Sequence, residues 1–127
     1  MCFSLKGSKT RKPKSKIAAK DIIVYKAIRK DRWGWVFNLK IKGKEVKWKK
    51  GWWYYETTPF LDMEYDGKGE WDFNGHCFHS VINKEDCQQN YVDPEDEFLQ
   101  KFIIPKDAKY YKNQRQYISD QLIYPEQ

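Results

Sequence analysis

Residues 33–49, WGWVFNLKIKGKEVKWK, constrain the fold more than any other part of the chain. Apolar side chains recur at every second position (Trp33, Trp35, Phe37, Leu39, Ile41), while Val36, Asn38, Lys40 and Lys42 occupy the alternate phase. Strict alternation is the period of a β-strand, whose successive side chains point to opposite faces. After Gly43-Lys44 the pattern resumes with Val46 and Trp48 inward and Glu45, Lys47 and Lys49 outward. A two-residue loop that begins with Gly suits a type II′ hairpin. The register that follows sets Ile41 against Val46, Leu39 against Trp48 and Lys42 against Glu45. It also sets Lys40 against Lys47, with Lys49 just beyond, opposite Asn38. Like charges directly opposite destabilise a ladder, and an anion bound across that face would relieve the conflict. The ordinary alternative is that long lysine side chains splay into water, where charge terms are small.

The rest of the chain agrees with a sheet-rich fold. Aromatic residues make up 17% of it, and strands favour such side chains. DIIVYKAI, HCFHSVI, EFLQKFIIP, KDAKYY and YISDQLIYP read as further strands, two of them closed by Pro105 and Pro125. In GWWYYETTPF, Trp52 and Tyr54 share one face and Trp53 and Tyr55 the other. An exposed pair of this kind offers flat rings on which bases stack, at about 1–3 kcal/mol per base; a sheet buried on both faces explains the same residues. Asn83 is placed to cap a helix, with Glu85 and Asp86 in its first turn beside the positive end of the dipole. The expected fold is α+β: a single domain over residues 19–127, dominated by antiparallel strands, about six or seven, with one or two short helices. Residues 1–18 carry several Lys and Arg, no acid and few apolar groups, and read as a flexible basic N-terminal arm.

Charge is unevenly spread. Residues 1–50 hold 17 Lys and Arg against 3 Asp and Glu, and residues 51–100 hold 2 against 12. One part of the surface is thus expected to attract polyanions and another to repel them, unless the two blocks lie together and neutralise each other. No run of 18 apolar residues occurs and the first residues lack the apolar stretch of a secretion signal, so no membrane span is expected. Three cysteines match no disulfide framework, which points to a reducing, cytoplasmic setting.

Both histidines and two of the cysteines fall in residues 69–87, as His76, Cys77, His79 and Cys87. Strand periodicity sends His76 and His79 to opposite faces, and the spacing fits no zinc pattern. Cys77 and His79 share a face, but catalytic pairs usually come from separate elements. Asp62, Glu64, Asp66 and Gly67 fall on the early positions of a calcium loop, yet the twelfth position is Phe73 where a bidentate Glu is needed. No metal and no cofactor is therefore expected.

The run KIAAKDIIVYKAI … GHCFHSVIN … FIIPKDAKYYKN … YISDQLIY resembles a set of small proteins of gut bacteria and their phages for which no activity is established. Those show an opening Met-Cys, a V-Y-K strand, a G-x-H-S stretch, an I-P-K-G-x-x-Y-Y segment and a closing S-D strand. This chain departs at Asp107, where that pattern has Gly. The same order is similar to the ADP-ribosyltransferase fold, in which one strand carries an Arg, a later strand ends in a Ser-containing motif, and a further strand bears a catalytic Glu. Mapped residue by residue, the Arg position is Lys26, the Ser position Ser80, and the Glu position Gln121 or Asp120. A Gln does not supply the charge that Glu uses to stabilise a developing cation, so the resemblance implies the fold and a nucleotide-sized cleft more than the reaction.

Three functional expectations follow. The first is a small non-enzymatic binding protein, of phage or mobile-element kind by resemblance, that engages nucleic acid or a nucleotide-like anion through Lys40, Lys47, Lys49, Trp52 and Tyr54. The second is an ADP-ribosyltransferase-like NAD-binding protein, active or not, with Lys26, His79, Ser80 and Asp120 lining one cleft. The third is an inhibitor that presents its acidic 62–97 region to a host protein.

Overall fold

The computed structural model describes residues 3–29, 45–46, 61–75 and 77–123. Along the chain these form β1 (Ser4–Lys6), β2 (Lys16–Ile17), β3 (Ile22–Arg29), β4 (Glu45–Val46), β5 (Met63–Tyr65), β6 (Glu70–Phe73), β7 (Phe78–Val81), α1 (Lys84–Asn90), β8 (Glu97–Ile104), β9 (Lys109–Lys112), β10 (Gln116–Ser119) and β11 (Leu122–Ile123). The strands make a large sheet of order β2-β9-β10-β7-β3-β8-β11-β4 and a small one of order β1-β6-β5. The class expected from sequence, α+β dominated by antiparallel strands, is the one observed. Apart from residues 45–46, the 33–49 hairpin and the 52–55 aromatic strand lie outside the described residues.

β3 and β8 form the spine. They pair without a break from Ile22↔Ile104 to Arg29↔Glu97. One phase carries Val24 and Ile28 opposite Phe102 and Phe98 into the main core, with Phe78, Tyr117 and Leu122 beside them. The other phase presents Tyr25, Ala27 and Leu99 to Val81, Cys87 and Val92, which joins α1 to the sheet. Each fully buried apolar side chain here contributes about 1.5–3 kcal/mol relative to exposure. α1 begins as its sequence implies: the Asn83 side chain accepts from the backbone N–H of Asp86 at 2.9 Å, and Glu85 and Asp86 occupy the first turn.

Two segments differ from the reading of the sequence. YISDQLIY is two strands rather than one. The Asp120 N–H donates to the Lys109 carbonyl at 3.1 Å, and its carboxylate accepts from the Lys109 N–H at 2.9 Å. The chain turns there, so β10 pairs with β7 and β9 while β11 crosses to β8. The acidic stretch compared with a calcium loop is a hairpin, β5–β6. Asp66 accepts from the N–H groups of Lys68 at 2.6 Å and Glu70 at 3.1 Å, and Gly67 and Gly69 adopt φ of 82° and 94°. Asp-Gly supplies both the local acceptor and the positive φ that a tight turn needs.

The basic N-terminal segment, expected over residues 1–18 as a flexible arm, packs on the domain over the described residues 3–18. Phe3 is buried with Met63, Trp71, Tyr111 and Ile118 between the small sheet and the large one. β1 pairs with β6, and β2 with β9. Trp71 Nε1 donates to the Ser8 carbonyl at 3.0 Å, the Tyr111 hydroxyl donates to the Pro13 carbonyl at 3.2 Å, and Lys12 pairs with Asp62 at 2.8 Å. Ala18, 1% exposed, closes the segment onto Ala108 through a 2.9 Å backbone hydrogen bond. A few well-placed apolar anchors and a ladder outweigh the solubility of the intervening lysines.

Asp107 has φ 74°. Asp is among the few non-Gly residues that tolerate this left-handed region. Its N–H donates to the Ala18 carbonyl at 2.8 Å, and Asp21 accepts from the Lys106 N–H at 2.9 Å, so the turn is held from the β2 side. Among the described residues no helix is long and apolar enough to cross a membrane.

Candidate functional site

Folding the N-terminal segment onto the sheet creates a groove. β1 supplies one wall, β2 and the β9–β10 turn supply the other, and Tyr91 at the end of α1 closes one end. The cavity is about 580 Å³ and carries Lys6, Lys16, Lys112 and Arg115 against a single carboxylate, Glu70, in its lining. That volume lies in the range of small-molecule and cofactor sites. The walls are tied together: Asn113 Nδ2 donates to the Ser4 carbonyl at 3.3 Å, and the Asn113 carboxamide oxygen accepts from the N–H groups of Arg115 and Gln116 at 2.9 and 2.8 Å.

The four cations of the groove are not equivalent. Arg115 is held by Asp86 through Nε at 3.0 Å and Nη2 at 2.6 Å. The pair holds the Asp86 carboxyl below its usual range and the guanidinium above its own. Arg115 also lies over the Tyr91 ring, 5.2 Å from its centroid. Lys6, Lys16 and Lys112 make no ion pair among the described residues. Lys112 sits 5.5 Å from the Tyr117 ring centroid, a contact that leaves its charge uncompensated.

A second polar cluster lies inside the sheet. β3 and β7 share the single ladder pair Tyr25↔Val81. Where they part, Lys26 Nζ donates to the His79 carbonyl at 2.9 Å and so satisfies a backbone group that a longer ladder would have paired. Burial pushes the Lys26 ammonium below the usual lysine range, with Cys77, Cys87 and Glu97 pulling the other way. His79 packs edge-on against Phe73 at 5.4 Å. Its Nδ1 and the Ser80 hydroxyl are buried without a hydrogen-bond partner. Burial first, and then the Lys26 charge, lower the His79 imidazole to about 4.

The structure thus brings Lys26, His79 and Ser80 together on neighbouring strands, with Ser80 buried among the described residues. Ser80 is 1% exposed. The Asp120 carboxylate, just past the end of β10, accepts from the Lys109 N–H and fixes a turn. Lys40, Lys47, Lys49, Trp52 and Tyr54 lie outside the described residues, as does His76. Cys77 and Cys87 are buried free thiols raised by burial to about 12 and about 11, which leaves no thiolate for nucleophilic attack near neutral pH. Among the described residues the grouping of acid, His and Cys close enough to share an ion is Asp66, Glu70 and Asp72, solvated groups of one hairpin.

The neutral His79 gives a pH prediction. The unfolded chain takes up a proton on this residue below about 6.5, whereas the folded one resists until about 4. The stability from this group is therefore complete above pH 6.5 and is lost as pH falls, by about 2 kcal/mol at pH 5. The lowered carboxyls of Asp62 and Asp86 act below that window, under the ordinary value of 3.8. Urea titrations at neutral pH and at pH 5 should show this loss in the natural chain and little of it in His79→Gln. Equal losses in both would contradict it.

The groove is not local in sequence: Lys6 and Lys16 lie in the stretch expected to be a flexible basic arm, and Lys112 and Arg115 lie about a hundred residues away at the β9–β10 turn. The available signal was Phe3 and Leu5, which anchor the arm. Comparison with protein-family models, with curated proteins and with solved structures finds no match to this chain.

Proposed function

We propose that the protein is a non-enzymatic binding protein for a polyanion, nucleic acid or a nucleotide-like ligand, and that the groove between β1, β2 and the β9–β10 turn is where it binds. The observation that carries this reading is the set of three lysines, Lys6, Lys16 and Lys112, around one cavity with a single carboxylate in its lining. With Glu70, the ladder partner of Lys6, as the one carboxylate beside them, the lysines leave the groove net positive, which attracts a ligand of opposite sign. Lys40, Lys47, Lys49, Trp52 and Tyr54 extend the same reading from the sequence. The free buried cysteines support a reducing, cytoplasmic setting.

A salt titration tests it. Three neutralised phosphates release three sets of counterions, so affinity for an oligonucleotide should fall about twenty- to fortyfold between about 50 and 200 mM salt. Salt-independent binding, or none at low ionic strength, would remove the reading. A second reading, an NAD site of the ADP-ribosyltransferase kind, rests on the resemblance in sequence, with Lys26 and Ser80 on the paired strands β3 and β7. Retention of labelled NAD by the full chain would support it, and failure to retain NAD would dismiss it.

A further inference from the structure

We infer that the groove selects single-stranded nucleic acid over duplex, with the Arg115 guanidinium as a stacking platform for one base and the three lysines as phosphate contacts. The inference rests on the polyanion reading of the same groove and divides the labour within it.

Arg115 is an unusual member of a phosphate site because its charge is already matched. Asp86 grips Nε and Nη2 together, and Asn90 Nδ2 donates to the same carboxylate at 2.7 Å. The ring of Tyr91 supports the guanidinium from below, and Gln116 Nε2 donates to the Tyr91 hydroxyl at 3.2 Å, fixing that ring in turn. The result is a planar cation with fixed orientation at the edge of the groove, its side chain still 54% exposed. A matched charge contributes little to phosphate attraction, but a flat, oriented guanidinium is a good surface for a nucleobase.

Single strands present base faces for such stacking, whereas in a duplex the faces are occupied by neighbouring base pairs and only edges are open. The cavity has the volume of a nucleotide-sized ligand. Gln114 lines it as well, and its carboxamide gives a donor and an acceptor for base edges without favouring one base.

The test measures binding of the full chain to a labelled thymidine oligonucleotide and to a duplex of the same length, over a range of salt, for the natural protein and Arg115→Lys. The substitution keeps the positive charge and removes the plane, on a half-exposed side chain whose replacement leaves the core untouched. The single strand should bind tighter than the duplex. Arg115→Lys should weaken the single strand about tenfold with an unchanged salt slope, and should leave the duplex nearly unaffected. A duplex bound as tightly as the single strand, or an Arg115→Lys protein that binds the single strand normally, would overturn the inference while the polyanion reading stands. Absence of binding to both at low salt would overturn both.

Discussion

Replacing Lys6, Lys16 and Lys112 together by Gln is expected to weaken oligonucleotide binding by about a hundred- to five-hundredfold at about 0.1 M salt. At that salt each neutralised phosphate contributes about 0.7–0.9 decades of affinity through counterion release, and the triple variant gives up three of them. The change is electrostatic, so the residual binding should also lose most of its salt dependence. Stability should change little, because surface substitutions away from caps and cores fall within about 0.5 kcal/mol each. Gln rather than Glu avoids setting a second carboxylate opposite Glu70, the ladder partner of Lys6. Removing the same number of charges at Lys84, Lys101 and Lys106, outside the groove, is the control. Binding there should fall only slightly. Equal losses in the two triple variants would mean that net charge, not the groove, drives association.

Phe3→Ala should have the second large effect, and it should be local. Truncating a buried Phe costs about 3–5 kcal/mol when the surroundings hold their shape. Here the surroundings include a short segment around β1 fastened by one three-residue strand and a handful of hydrogen bonds. Releasing that segment costs less than keeping the cavity, since locally held elements with few hydrogen bonds open at the low end of the stability range. Amide exchange should therefore accelerate at Gly7 and Phe73, whose N–H groups donate to the Gly69 and Phe3 carbonyls at 3.0 Å each. The amides of the β3–β8 ladder should keep their protection. Lys6 would leave the groove with the segment, so binding should weaken about fivefold or more even though no charge has been removed. Uniform loss of protection across the large sheet would show instead that Phe3 supports the whole fold. Unchanged binding would show that the docked segment is not part of the site.

The spine of the fold was legible in the sequence because its signals are local. The continuous apolar run Ile22–Tyr25 marks β3, EFLQKFII closed by Pro105 marks β8, and Asn83 with its acidic followers marks α1. In β5–β6 the turn signal Asp66-Gly67 is plain, but the acidic residues around it hide the two short strands that it joins. The split between β10 and β11 depends on a hydrogen bond to Lys109, which no local pattern announces. The groove was the least legible feature. It exists because Phe3 fills a space lined by Met63, Trp71 and Tyr111, residues far from it in the chain. That contact turns a run of lysines from an expected arm into one wall of a cavity. His79 shows the same limit from the other side. Its phase was readable, but its neutrality depends on burial against Phe73 and on the charge of Lys26.

The central claim is that a polyanion is held in the groove walled by β1, β2 and the β9–β10 turn. Backbone amide NMR of the uniformly labelled full chain, titrated with a short single-stranded oligonucleotide at low salt, tests it most directly. The claim predicts that the largest shifts fall on Lys6, Lys16, Tyr91, Lys112 and residues 113–116, and that added salt reverses them. Shifts that leave those residues still and gather elsewhere on the chain would contradict it.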